Sequence, residues 1–567
     1  MAAYLVSRHV SVSEENLTFW GNQFGNVLKE FGGNKKSSEI EHRVNTFLNA
    51  TEAFNEFSKS VKSLEDIPLE ITSIVACDSA LRNSSTFVPQ PSLAGDNFGR
   101  LNPIQRDKIN VLIDFEDSYK WPSDTIPALQ YMKLAFGIKI AEQITRQFPG
   151  TRATVTKPDL KDLTTGTISV RMKNGYEFCA RIRTGRETKL AAAAVKAAEQ
   201  SGDGAIKAAA QTRFDATDRV YRAHGVHTLA YQNAHFKYAQ MSATARLVKR
   251  WLAAHWVMPH FTEEAVELIV VRVFSEHAAG AGATTAYPSA PASVFAGVLR
   301  VLEVFWKWEW EKEAMVVEFE KGEFPTNKKS EVLEKFGDGR NKKSGVMCLP
   351  TVFDESGFYW TKDGPSLIVL KRVKQLAKAA YKLLKDAIVN GDESEIAKIF
   401  VTPTDGYDYI IQLDVSKLPT YHQNIAYNAA KLPQPKSAFK NLVALEKRPL
   451  QRFLEEFNPV VNYVKDLENA FADTATFFFD INGGDRIGVL LNKKLVVAEQ
   501  PWKVNIPFSV MPQLVLEDKK DDQDERRKGD KSKKRGKATV VPDYTSIGAE
   551  IGRLGTGIVV HVVSVHY

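Results

Sequence analysis

The chain has 567 residues and a formal net charge of +7, long enough for three or four domains and only mildly basic. Its 44% hydrophobic and 25% charged residues are ordinary for a globular protein, and the absence of any apolar run of about 18 residues excludes a membrane-spanning helix. Three scattered cysteines, Cys77, Cys179 and Cys348, show no CxxC spacing, which argues against a zinc site or a disulfide framework and fits a reducing compartment. The first residues, MAAYLVSRHVSVSEEN, lack the basic-then-apolar layout of a secretory signal.

In chain order, residues 1–70 read as helical, with Phe47, Leu48, Phe54, Phe57, Val61 and Leu64 on one face. Pro68 breaks the pattern, and Ile71, Ile74 and Val75 begin a strand. A Ser-, Pro- and Gly-rich loop over 84–107 leads to VLIDFEDSYKWP, 111–122, read as a strand carrying Asp114 and Glu116 on one face. An amphipathic helix follows, with Leu129, Met132, Phe136 and Ile140 in one stripe. GTISVRMKNGYEFCARIR, 166–183, predicts a hairpin closed by a type I′ turn at Asn174-Gly175. An Ala-rich helical run interrupted at Gly202–Gly204 completes a first unit, taken as 1–220.

The second unit, 221–345, reads as helical. SATARLVKRWLAAHWV ends at Pro259, Thr262 caps TEEAVELIVVRVF, and a third helix around 293–306 ends in the aromatic run FWKWEW. The polar, basic stretch 321–345 is the best linker candidate. The third unit, 346–567, opens with a long basic helix from about Pro365, then the strand YDYIIQLDV and a second hairpin at 475–491. The insert 517–537 is almost wholly charged or small and is expected to be disordered. A helix and a β-prone strand close the chain. The fold class is α+β.

Paired carboxylates on a strand face are what a Mg²⁺-dependent nucleotidyl transferase uses to hold its metals. Asp114 and Glu116 have that spacing, but such an enzyme also needs a Gly-Ser turn before the strand and a third carboxylate on a neighbouring one. The upstream text GDNFGRLNP has no Gly-Ser, and no third partner can be picked from spacing. The pair therefore reads as a strand end, with the transferase kept as the alternative. Asp480 and Asp485 flank INGG and are expected to satisfy turn amides. GRLGTG, 552–557, lacks the strand and the Lys-Ser/Thr ending of a phosphate loop. His224, His227, His235, His255 and His260 include no HExxH pair and read as structural.

Three basic clusters are the candidates for nucleic-acid binding. Arg181, Arg183, Arg186 and Lys189 fall at a hairpin end and a helix start. Arg246, Lys249 and Arg250 share one helix edge. Lys371, Arg372, Lys374, Lys378, Lys382 and Lys385 lie along one long helix, mostly away from Leu367, Leu370, Ala377 and Leu384. Facing one way, they would form a phosphate track; each is otherwise a solvated face. KSKKRGK, 531–537, is a candidate nuclear-localisation or nucleic-acid patch. Phe305, Trp306, Trp308 and Trp310 are either core or a partner-docking patch.

Long stretches also resemble one family. ATARLVKRWLAAHW, EEAVELIVVRVF and YPSAPASVFAGVLRVLEVFWKWEW are similar to the fifth domain of the Nrap family, the nucleolar RNA-associated proteins. WTKDGPSLIVLKRVKQLAKAAYKLL, DGYDYIIQLD and FADTATFFFDINGGDRIGVLL resemble its last domain. LEDIPLEITSIVACDSALRNSSTFVPQP and IDFEDSYKWPSDTIPALQYMKLAF resemble its fourth. The resemblance implies tandem nucleotidyltransferase-like and poly(A)-polymerase-like helical modules, catalytically inactive and without a cofactor. It implies a nucleolar role in the small-subunit processome, or 90S pre-ribosome, where 18S rRNA matures. The implied partners are pre-rRNA and the U3 snoRNP context, processome proteins including a small RNA-binding processing protein, and, in fungi, casein kinase two. It also implies that Glu116, Ser118, Trp121 and Pro122 shape a strand-to-helix junction. Family members are about twice this length, so the chain is expected to correspond to the C-terminal half. A general nuclear RNA-binding protein outside the processome is a further reading; its binding would fall steeply with salt.

Overall fold

The computed structural model describes residues 47–89, 108–275, 289–320, 322–338, 345–391, 393–418, 458–472, 474–492, 500–501, 510–513 and 539–565. The stretch 1–46 of the expected N-terminal helical run, most of the 84–107 loop and all of 517–537 lie outside them.

The first unit is a five-stranded mixed sheet with helices. Helix α1 (Leu48–Lys62) precedes β1 (Ile71–Ala76) and β2 (Ile109–Phe115). Helix α2 (Ile126–Gln147) follows, with Pro127 in its first turn, where a missing N–H costs nothing. Strands β3 (Arg152–Val155), β4 (Ile168–Arg171) and β5 (Glu177–Arg183) complete the sheet in the order β1-β2-β5-β4-β3. Only β2 and β5 run parallel. The turn between β4 and β5 is not type I′. That turn needs positive φ at both central residues, and here Gly175 has φ 89° while Asn174 does not take positive φ. The loop is instead three residues, closed by Gly175 N–H on the Met172 carbonyl and Met172 N–H on that of Tyr176. The core is aromatic: Phe57 stacks on Phe178 with ring centres 4.5 Å apart, and Trp121 packs on Phe136 at 4.7 Å.

Helices α3 (Arg186–Gln200) and α4 (Gly204–Asp218) lead into a single π turn, Arg219–Ala223, and on into α5 (His224–Lys237) without a break. The boundary expected at 220 thus falls inside a continuous helical run.

The second core is built by α5, α6 (Met241–Ala254), α7 (Glu263–Phe274), α8 (Val294–Lys307) and α10 (Leu367–Asn390). Thr262 and Ser293 cap α7 and α8, accepting from Ala265 N–H at 3.2 Å and Ala296 N–H at 3.1 Å. Gly297 lets α8 approach α6 closely, because a β-carbon there would stand 2.4 Å from the Thr244 hydroxyl. The expected linker 321–345 contains helix α9 (Thr326–Asp338) instead, whose Val332 packs with Val316 and Phe324. Its Lys and Glu residues are good helix formers, and apolar contacts of Val332 and of Phe336, whose ring centre lies 6.2 Å from that of Phe358, anchor them. The boundary expected at 345 falls within this unit too, since α10 packs against α8.

The third unit is a four-stranded antiparallel sheet in the order β12-β6-β8-β7. Its strands are β6 (Tyr409–Leu413), β7 (Ala475–Phe479), β8 (Arg486–Leu491) and β12 (Val559–Ser564). Helices α11 (Pro459–Ala470) and α12 (Tyr544–Leu554) cover it. Strands β9 (Gln500–Pro501), β10 (Val510–Gln513) and β11 (Thr539–Pro542) pair separately. Asp480 forms the expected turn, accepting from Asn482 N–H at 2.9 Å. The second and third units meet through His260, whose Nε2 lies 2.9 Å from the Phe477 carbonyl, and Trp256, which stacks on Tyr407 at 5.5 Å. Among the described residues no helix is long and apolar enough to cross a membrane.

Candidate nucleic-acid interface

The sheet register decides what surrounds Asp114. On one side β1 places Ser73 opposite it; on the other, β5 places Arg183. Arg183 grips both carboxylate oxygens as a fork, Nε to Oδ1 at 2.5 Å and Nη2 to Oδ2 at 2.6 Å. The Ser73 hydroxyl donates to Oδ2 at 2.6 Å, and Arg183 Nη1 donates to the Tyr221 carbonyl at 2.7 Å. Glu116 stands one residue past the end of β2. Its N–H donates to the Glu70 carbonyl at 3.1 Å, and its carbonyl accepts from the Trp121 indole at 3.3 Å. The two positions where a neighbouring strand could add a carboxylate beside Asp114 thus hold a hydroxyl and a cation. This donor set does not fit a Mg²⁺ pair. Among the described residues, no three His, Cys, Asp or Glu side chains gather as metal ligands would.

The first basic cluster is largely built into the fold. Arg181 Nε donates to the Thr164 carbonyl at 3.3 Å and its Nη1 to Asn110 Oδ1 at 3.4 Å. Arg186 donates to the Ser118 carbonyl at 3.2 Å and pairs with Asp117 at 2.9 Å. Lys189 is exposed and stands 4.0 Å from Asp117.

The second cluster is a correction. The expectation that Arg246 and Lys249 offer a basic edge to phosphate fails because both side chains are buried. Arg246 donates to the Ser85 carbonyl at 3.0 Å and lies over the Phe47 ring. Lys249 is 0% exposed; its Nζ contacts Glu267 at 2.6 Å, Glu263 at 2.7 Å and the Ser84 carbonyl at 2.9 Å. Arg250 is half-buried, 3.5 Å from Asp480 and over the Phe87 ring.

Lys249 belongs to a buried ionic network that joins the first unit to the second. Arg82, from the segment after β1, meets Glu267 at 2.7 Å and Glu264 at 2.8 Å, and donates to Thr228 at 3.2 Å. Ser84 donates to Glu267 at 2.6 Å, and His227 Nε2 lies 2.7 Å from the same carboxylate. Burial pushes the Glu267 carboxyl up, but Arg82 and Lys249 outweigh it and hold it well below the usual carboxylate range.

The third cluster remains at the surface. On α10, Lys371, Lys378, Lys382 and Lys385 are exposed and Lys374 is half-buried. Lys378 Nζ lies 5.8 Å from the centre of the Trp306 ring, and Lys385 Nζ lies 5.5 Å from that of Tyr381. Arg372 turns the other way: it stacks 3.9 Å over Tyr407 and donates to the Pro403 carbonyl at 3.1 Å. In the aromatic run, Phe305, Trp308 and Trp310 are buried, and Trp306 is half-exposed.

Three family models match in sequence order. Nrap protein nucleotidyltransferase domain 4 covers residues 23–235, the Nrap PAP/OAS1-like domain 5 covers 238–402, and Nrap domain 6 covers 404–562. The chain belongs to the Nrap family. It is 28% identical over 488 residues to U3 small nucleolar RNA-associated protein 22 of Schizosaccharomyces pombe, covering 84% of this chain and 40% of that protein. It is 24% identical over 585 residues to human Nucleolar protein 6, covering 99% of this chain and 45% of that one. The chain thus spans less than half the length of the curated relatives it matches. A solved structure of Cid1 in complex with its short product ApU aligns over 64% of this chain and 93% of its own, with a TM-score of 0.36 and 10% identity.

The Nrap chain's ionic joint is what sequence reading missed. One signal was present: Lys249 falls on the same helical stripe as Ala245 and Ala253, both fully buried. Glu267 interrupts an otherwise apolar run, AVELIVV, which requires a buried partner. The partner, Arg82, lies 185 residues away from Glu267 in sequence.

Proposed function

We propose that this chain is a non-catalytic assembly factor of the small-subunit processome, or 90S pre-ribosome. In this role it supports 18S rRNA maturation in the nucleolus by binding proteins and RNA. The names of the relatives support the setting: U3 small nucleolar RNA-associated protein 22 and Nucleolar protein 6. The single observation supporting the non-catalytic part is the Arg183 fork on Asp114. A carboxylate whose two oxygens are taken by a guanidinium is unavailable to a metal ion unless that pair breaks first. The fold of a nucleotidyltransferase is then kept as a rigid frame, with its units locked by buried ion pairs and stacked rings. Pre-rRNA in a U3 snoRNP context, processome proteins with a small RNA-binding processing protein, and casein kinase two are the partners this reading proposes.

Cross-linking of the tagged chain in cells tests it. Recovery of 18S precursor and U3 snoRNA with processome proteins is expected; scattered messenger RNA without them would refute the assembly role. The transferase alternative has its own assay. Incubation with Mg²⁺, labelled ATP and an RNA primer should give no extension, and extension abolished by Asp114→Asn would make the chain an enzyme.

A further inference from the structure

Lysines on α10 stand in a pattern that the fold does not use. At 100° per residue, Lys371, Lys374, Lys378, Lys382 and Lys385 fall within an arc of about 60–80°. The stripe runs about 21 Å along the helix, with a cation at nearly every turn. Lys371, Lys378, Lys382 and Lys385 are exposed, and no carboxylate among the described residues lies within ion-pair distance of any of them. Elsewhere lysines of this chain pair: Lys133 with Glu187, Lys249 with Glu267, Lys307 with Glu303, Lys362 with Asp215. One edge of the stripe carries aromatic rings. Trp306, projecting from α8, and Tyr381 lie with ring centres 6.1 Å apart, between Lys378 and Lys385. The indole N–H of Trp306 is buried and has no hydrogen-bond partner, so the ring offers its face rather than its N–H.

We infer that this stripe is a binding track for a single RNA strand, with the phosphates on the lysines and a base against the Trp306–Tyr381 pair. The inference rests on the assembly reading above and names the surface that reading lacks. Three observations favour RNA over an acidic protein. Protein interfaces are depleted in lysine and need an apolar centre, whereas the exposed row from Lys371 to Lys385 holds Gln375 and Ala379 but no large apolar side chain. Lysine ammonium groups are point charges that hold phosphates without demanding one geometry. Adjacent aromatic rings supply π-faces that any base can use, the combination found in sequence-tolerant single-strand binders. The track's length suits on the order of four nucleotides.

The test uses the full chain and a labelled oligouridylate of about 15 nucleotides, followed by fluorescence anisotropy across a salt series. Reversal of Lys378, Lys382 and Lys385 to Glu should weaken binding more than tenfold and flatten the slope of log affinity against log salt by about 2. Trp306→Leu should weaken it roughly fivefold or more while leaving the salt slope unchanged. KSKKRGK at 531–537 contributes equally to every variant, so differences between chains report the track alone. Wild-type affinity in the triple variant would overturn the assignment, as would binding of polyglutamate in preference to RNA, or no RNA binding by the wild-type chain at low salt. U3 snoRNA recovered in cells with the triple variant as well as with the wild type would remove the track and leave the assembly role standing.

Discussion

Helices α6 and α10 look alike as sequence. Each is amphipathic, each carries Lys and Arg at helical spacing, and each was a candidate phosphate surface. The structure gives them opposite roles. On α6, Lys249 and Arg246 are taken out of water and matched to Glu263, Glu267 and carbonyl oxygens of the segment after β1. On α10, Lys371, Lys378, Lys382 and Lys385 are exposed, and no carboxylate among the described residues lies within ion-pair distance of them. A cation on a helix becomes structural when another unit covers it and supplies acids, and remains available when nothing covers it. Local pattern cannot distinguish the two, because the covering unit is remote in sequence.

Breaking the buried side should have the largest effect. Lys249→Ala leaves the buried Glu267 carboxylate short of a cation in the interior and is expected to cost about 3–5 kcal/mol, read as an early transition in urea. A cost below about 1 kcal/mol would mean that the network is solvated and the contrast with α10 is false. Acid should act next. His255 Nε2–H donates to the Ile399 carbonyl and His260 Nε2–H to that of Phe477, and burial pulls both down to about 4. A histidine lowered in the folded state leaves the unfolded chain with more protons between its ordinary value and about 4. Stability is therefore complete above about pH 6.5 and falls as pH drops toward 4, by about 2–3 kcal/mol for each group. The depressed Glu267 carboxyl adds a loss in the same direction, below the ordinary carboxylate range. Thermal melting at pH 7 and pH 5 checks the sign; an equal or higher melting temperature at pH 5 contradicts it.

Asp114→Asn sharpens the comparison for a third cation. It leaves Arg183 with a neutral partner in a half-buried place and should cost about 2 kcal/mol in chemical denaturation. A gain in stability would mean that Asp114 is held under strain, as at a metal site. The smallest effect belongs to α10. Lys378→Ala and Lys382→Ala should each change stability by less than about 0.5 kcal/mol, since nothing folded depends on them. A larger loss would show that the stripe is structural after all and would weaken its assignment to RNA.

Much of the fold was legible because its signals are local. The stripe through Leu129, Phe136 and Ile140 named α2, the alternation in 166–183 named the β4–β5 hairpin, and Thr262 marked the start of α7. The turn at Gly175 was misread because Asn-Gly also suits a three-residue loop, and the choice depends on how the flanking strands register. The stretch 321–345 looked like a linker because its polar composition hides one helix held by only a few apolar side chains, Val332 and Phe336 among them. The candidate site was only partly legible. The missing Gly-Ser partner already argued against Asp114 as a metal ligand, but nothing in the text placed Arg183 opposite it.

By itself, the sequence determined the elements, the α+β class, the Nrap resemblance with its domain order, and which residues carry charge. Only the tertiary structure decided which of those charges are available. Periodicity fixes the face of a helix on which a side chain lies, over a few residues. Whether that face meets water or a carboxylate depends on which distant segments pack there: Arg82 against Glu267, Arg183 against Asp114, and, for the exposed lysines of α10, no described acid within ion-pair distance.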